Sequence, residues 1–107
     1  MDFNEYEKRA LETRVPEAAG IVYSALGLTG EAGEVADKVK KSIRDCGGGL
    51  NNEDKNALLK ELGDVLWYLT SAASDLGSSL EAVASLNIEK VESRRQRDKI
   101  SGSGDNR

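Results

Sequence analysis

Glu31 and Glu34 stand one helical turn apart in a stretch, Ala18 to Ala36, that carries no other charge. Glu61 and Asp64 repeat the spacing within Ala57 to Ser74, where the only other charge is Lys60. Side chains at i and i+3 share a helix face, so each segment turns a carboxylate pair toward whatever it packs against. Two unit charges ~4 Å apart repel by about 4 kcal/mol at an effective dielectric of ~20. That is a large share of the roughly 5–15 kcal/mol that stabilises a whole domain. Carboxylate oxygens suit hard divalent cations, and magnesium is commonly shared between protein carboxylates, water and substrate phosphates. Glu31, Glu34, Glu61 and Asp64 are therefore the expected metal ligands, with Mg²⁺ the expected ion and Mn²⁺ its substitute.

A carboxylate pair of this kind on a helix is ordinarily a solvated face, but here the flanks are apolar or small and the pattern occurs twice. Gly27, Gly30 and Gly33 strengthen the case. Each costs a helix about 1 kcal/mol against alanine and marks close approach of a backbone or ligand, with a kink at Gly27 as the alternative. One carboxylate is expected to orient water or take its proton, and Glu31 or Glu34 is the favoured catalytic group. Of Trp67 and Tyr68, both beside core leucines, at least one is expected to pack; either could stack on a base, and Tyr68, one turn from Asp64, is the better candidate to face the site. Tyr23 is a further stacking candidate, and Phe3 and Tyr6 offer closure from the N-terminal helix.

The elements that must position these groups are helical. The chain has 107 residues, the size of one domain. Strand alternation is absent, and proline occurs once. The spacing predicts a first amphipathic helix from Asp2 to about Arg14. A second runs from Pro16 to Arg44 or Asp45, a third from Glu53 to Leu76 after an Asn51 or Asn52 cap, and a fourth from a Ser78–Glu81 capping box to about Arg97. Lys38, Lys40, Lys41 and Arg44 crowd the end of the second helix, where solvation and the dipole account for most of them. Asp37, one turn beyond Glu34, is a minor candidate ligand. Asn87, Lys90 and Arg94 share a face of the fourth helix and could bring cationic help to a polyphosphate. The domain is expected to span 1–99, with 100–107 a mobile tail that is either disordered or closes over a ligand.

Composition removes several classes. The chain has no histidine, which excludes a Ser-His-Asp triad, a His-ligated zinc site and a Glu-x-x-His di-iron bundle. Fifteen basic against nineteen acidic residues argue against binding polymeric nucleic acid through a general positive field. The single Cys46 cannot form an internal disulfide. Together with the lack of a long apolar run or leader, it predicts a cytoplasmic protein without a membrane segment. The third helix is apolar around most of its circumference, which favours an oligomer.

Gly-Glu31-Ala-Gly-Glu34-Val and Lys-Glu61-Leu-Gly-Asp64-Val-Leu-Trp-Tyr, with Asn87-Ile-Glu-Lys90 and the Gly-Ser-Gly-Asp-Asn-Arg ending, resemble the signature of MazG-like nucleotide pyrophosphohydrolases in the all-α NTP pyrophosphohydrolase superfamily. The resemblance implies an all-α, four- to five-helix bundle-like protomer in a tight oligomer, a homodimer or dimer of dimers. It implies Mg²⁺-dependent cleavage of a nucleoside triphosphate to the monophosphate and pyrophosphate. Glu31, Glu34, Glu61 and Asp64 would ligate metal, and Asn87, Lys90 and Arg94 would contact phosphate or sugar. Two alternatives are phosphoribosyl-ATP pyrophosphohydrolase and a non-catalytic helical adaptor.

Overall fold

The computed structural model describes residues 1–98 and 100–107 and contains no strand among them. The order is α1 (Phe3–Glu12), a short 3₁₀ turn (Pro16–Ala18), α2 (Ile21–Cys46), α3 (Asn52–Asp75) and α4 (Leu80–Gln96). The two longest helices, α2 and α3, form an antiparallel hairpin, while α1 packs on α3 and α4, and α4 on α3. This is the expected all-α protomer. The expected boundary between domain and tail falls at Lys99, outside the described residues.

Local chemistry sets most helix ends. Asp2 caps α1 by accepting the Glu5 amide at 2.8 Å. Asn51 and Asp54 cap α3 reciprocally. Gly47, at φ 65°, closes α2 in the left-handed conformation. Two ends differ from expectation. The second helix does not run on from Pro16, because the chain makes one 3₁₀ turn and restarts after Gly20, whose φ of 115° suits glycine. The cap of α4 is Ser79 rather than Ser78: the Ser78 amide is committed to the Ala73 carbonyl at the end of α3. Ser79 accepts from the Ala82 amide at 3.1 Å, and Glu7 of α1, not Glu81, accepts from the Leu80 amide at 3.0 Å.

Gly20 has no side chain to cap α2, so the acceptor comes from the far end of α3. Asp75 accepts the Gly20 amide at 3.0 Å, the Ser24 hydroxyl at 2.5 Å and the Arg14 guanidinium at 2.8 Å. Ser71 extends the network, with its hydroxyl 2.9 Å from that of Ser24 and 3.0 Å from Arg14 Nη1. Ser24 and Ser71 are buried. The Ser24 hydroxyl, then the Gly20 amide and the Arg14 charge, hold the Asp75 carboxyl below the usual carboxylate range.

The apolar core is small-residue: the buried hydrophobic side chains are Ala10, Ala18, Ala72, Ala73 and Leu80. Larger side chains remain outside it, with Val22 73%, Leu26 70% and Leu59 64% exposed. Val22 and Leu26 share a face of α2 with Gly30 and Gly33, which have open space where a Cβ would project. The radius of gyration is 16.6 Å, against about 13 Å for a compact chain of similar length.

Asp75→Asn is expected to cost about 2 kcal/mol at neutral pH, the scale of lost charged hydrogen bonds. Because the folded-state pKa of Asp75 is lowered, its contribution is present above the unfolded value of about 3.9 and is lost as pH falls through the lower folded value. Urea unfolding at a series of pH values should therefore show a smaller acid decline in the variant. Equal stability of the two proteins at neutral pH would contradict this role.

Candidate metal and nucleotide site

The hairpin brings the two acidic segments face to face. Carboxylate oxygens of Glu31, Glu61 and Asp64 lie within 4.8 Å of one another, with Glu31 and Glu61 half-buried and Asp64 exposed. Glu34 stays outside this trio, exposed one turn along α2, yet close enough for its charge to act on Glu31. Partial shielding from water, then the charges of Asp64, Glu61 and Glu34, raise the Glu31 carboxyl above its ordinary value. A hydrogen bond with Glu61 acts in the same direction.

Lys38, expected to serve solvation and the dipole, instead reaches across to Glu61 at 3.6 Å. It lies at i+7 from Glu31 and i+4 from Glu34, so helical spacing places it on the acidic face. Asp37 does not join the trio. It pairs with Lys41 at 2.8 Å and Lys40 at 2.9 Å, and hydrogen bonds from these two lower its carboxyl to about 2.

Tyr68, expected to face the site from its spacing, stands where the charges of Glu31 and Asp64 act on its phenol. Its ring lies against Gly27, where even a methyl group would overlap it. Gly27 thus permits close approach of a side chain, and a kink is not needed to explain it. Gly30 and Gly33 have no such neighbour. Burial, then Tyr23 and Glu31, push the Tyr68 phenol above its ordinary value. Burial, then the Asp64 carboxylate, do the same to Tyr6. The Asp64 charge thus acts on Tyr6, whose sequence context suggested closure from α1. Trp67 packs, its indole N–H donating to Thr13 Oγ1 at 2.9 Å and its ring edge-on to Tyr68 at 5.0 Å.

Asn87, Lys90 and Arg94 stand on α4, and the ion pairs of Lys90 and Arg94 run to Asp105. Asn87 opens onto a groove of about 290 Å³ lined by Phe3, Leu66, Leu69, Leu80 and Val83. Phe3 and Leu66 also line the neighbouring pocket with Tyr6. Lys90 pairs with Asp105 at 3.1 Å. Arg94, only 7% exposed, donates to the carbonyls of Asp105 at 2.9 Å and Gly104 at 3.3 Å. Residues 101–107, expected as a mobile tail, fold back on α4. Arg97 donates to the Arg107 carbonyl at 2.6 Å, and Arg107 donates to the Gly104 and Ile100 carbonyls at 2.6 and 2.9 Å. Arg94 is thus engaged by the tail rather than open to a ligand.

The trio offers oxygen donors only, and among the described residues Lys38 is the one cation within ion-pair distance of it. That donor set fits a hard divalent cation. In metal-free buffer at neutral pH, Glu31→Gln is expected to melt at or above the wild-type temperature. The sign follows from the raised folded-state pKa: the charged Glu31 carboxylate opposes folding once pH exceeds that value. Excess Mg²⁺ should then raise the wild-type melting temperature and leave the variant nearly unchanged. A variant that melts well below the wild type without metal would contradict the repulsion argument.

Among the described residues, no helix is long and apolar enough to cross a membrane. The Gene 37 protein of Mycobacterium phage L5 is 48% identical over 88 residues, an alignment covering 82% of this chain and 77% of that protein. No solved structure matches the chain. Residues 23–97 match the MazG nucleotide pyrophosphohydrolase domain, a span that holds all four expected carboxylates and the α4 residues Asn87, Lys90 and Arg94. With 75 of its 107 residues in that match, the chain belongs to the MazG nucleotide pyrophosphohydrolase family.

Proposed function

We propose that the protein is a Mg²⁺-dependent nucleoside triphosphate pyrophosphohydrolase. It converts an NTP or dNTP to the monophosphate and pyrophosphate, sanitising or trimming nucleotides dissolved in the cytoplasm. The observation that carries this proposal is the Glu31–Glu61–Asp64 trio on facing turns of α2 and α3, in a chain of this family. Magnesium held by the trio, or manganese in its place, would supply Lewis acidity toward phosphate oxygens and water.

The chain's own groups divide the remaining work. Glu34 is outside the trio and exposed, so it is the carboxylate free to accept a proton from the attacking water. The water oxygen joins phosphorus as the α–β anhydride bond breaks, and pyrophosphate leaves. Lys90 is the α4 cation offered to the phosphates, with Asn87 one turn away for sugar or phosphate. Arg94 holds the tail beneath them. Tyr68 and Tyr6 flank the trio with phenols that stay protonated at neutral pH, so they add hydrogen-bonding groups without adding charge.

A second copy of the chain is part of this proposal. Val22, Leu26 and Leu59 leave apolar surface on the two central helices, and Gly30 and Gly33 leave room for a helix to approach. A homodimer or dimer of dimers buries this surface. Light scattering on the purified protein is expected to give a dimer or tetramer at micromolar concentration, and a stable monomer would contradict it.

Incubation with each canonical and several modified nucleoside triphosphates plus Mg²⁺ is expected to yield pyrophosphate and the matching monophosphate. Glu61→Gln should lose both Mg²⁺ binding and turnover. Glu34→Gln should keep nucleotide binding but turn over about 100-fold or more slowly, the lower range for general base loss. Orthophosphate as the sole product would exclude this reaction. Turnover of phosphoribosyl-ATP alone would move the protein to that substrate, and no turnover with any nucleotide would favour the adaptor.

A further inference from the structure

We propose that the Asp105 carboxylate is a resident anion on Lys90, and that a phosphoryl group of the nucleotide takes its place. This rests on the assignment of Lys90 to the substrate phosphates made above.

The contacts of the tail separate into an anchor and an exchangeable part. The anchor is Arg94, which holds the tail by main-chain carbonyls of Gly104 and Asp105 at 3.3 and 2.9 Å. Those bonds do not involve the Asp105 charge. The carboxylate itself leans on Lys90 at 3.1 Å and only weakly on Arg94 Nη2 at 3.5 Å. Its side chain is 83% exposed, and that of Lys90 is 36% exposed. Solvated pairs of this kind hold weakly, so a stronger anion can displace the carboxylate without unseating the tail.

The surroundings of Lys90 suit such an anion. Asn87, Lys90, Asp105 and Asn106 line one open cleft with Val83, Leu86 and Glu89, so two asparagines share its wall with the ammonium and Glu89 adds one opposing charge. A phosphoryl group brings more acceptor oxygens and more charge than a carboxylate. The turn that delivers Asp105 uses Gly102 at φ 115° and Gly104 at φ 84°, conformations open to glycine. A carboxylate parked on Lys90 makes every incoming anion compete. Singly charged anions compete poorly, and polyphosphates compete well, so the tail raises selectivity for polyphosphate at some loss of affinity.

The test is calorimetric titration of inorganic pyrophosphate into the full chain. EDTA is included so that the acidic trio holds no cation. Wild type, Asp105→Asn, Lys90→Gln and the double variant are compared, with Asp105→Ser as a second way to remove the carboxylate should the asparagine fail to fold. The expected result is about two- to five-fold tighter binding for either Asp105 variant, the range an exposed ion pair supports, with no gain in the Lys90→Gln background. Unchanged or weaker binding in the Asp105 variants overturns the proposal. So does an equal gain with and without Lys90, which would be a long-range charge effect, or no pyrophosphate binding by any form. A chain that binds in the expected pattern but hydrolyses no nucleotide keeps the exchange and loses the hydrolase proposal. An active hydrolase whose Asp105 variants gain nothing does the reverse.

Discussion

The arrangement depends first on one carboxylate, Asp75. It ties three chain segments together: the linker after α1 through Arg14, the start of α2 through Gly20 and Ser24, and α3 on which it sits. Removing one member of such a network strands the others in low dielectric, where an unpaired polar group costs about 1–3 kcal/mol. The network also fixes how α2 sits along α3. Because the two helices are long and antiparallel, anchoring one end sets the register at the other turns, including those that carry Glu31 and Glu61.

Against that fixed register the acidic trio is an unfavourable arrangement in the bare chain. Partial shielding from water and then its acidic neighbours raise the Glu31 carboxyl, and Lys38 offsets part of the charge near Glu61. Tyr68 lying on Gly27 shows that the hairpin is closely packed just beside the trio. Packing thus holds together what electrostatics would separate. Such opposition is expected where binding, rather than folding, determines the residues.

The helices and the acidic motifs were legible because charges standing alone in apolar helical stretches are conspicuous, and because Asn51 and Gly47 are strong local end signals. The one-turn spacing of Tyr68 from Asp64 was legible, and the charge of Asp64 does act on its phenol. Lys38 lay on the acidic stripe by the same spacing, but its setting among Lys40, Lys41 and Arg44 hid it. Asp75 was not legible, since near a helix end it resembles any terminal acidic residue and its partners lie more than 50 positions away. The contacts of the tail were not legible, for a different reason. Gly-Ser-Gly composition usually signals mobility, whereas here the glycines supply the turns by which Asp105 and Arg107 fold back, and the acceptors that hold it are backbone carbonyls, invisible in a sequence.

Trp67 is the single tryptophan of the chain. Its indole N–H is bonded to Thr13 just past the end of α1, and its ring meets Tyr68 edge-on. The sole strong fluorophore is therefore attached on one side to the docking of α1 and on the other to the wall of the acidic site. Emission from this one residue reports both events, giving the chain an intrinsic optical probe that needs no label.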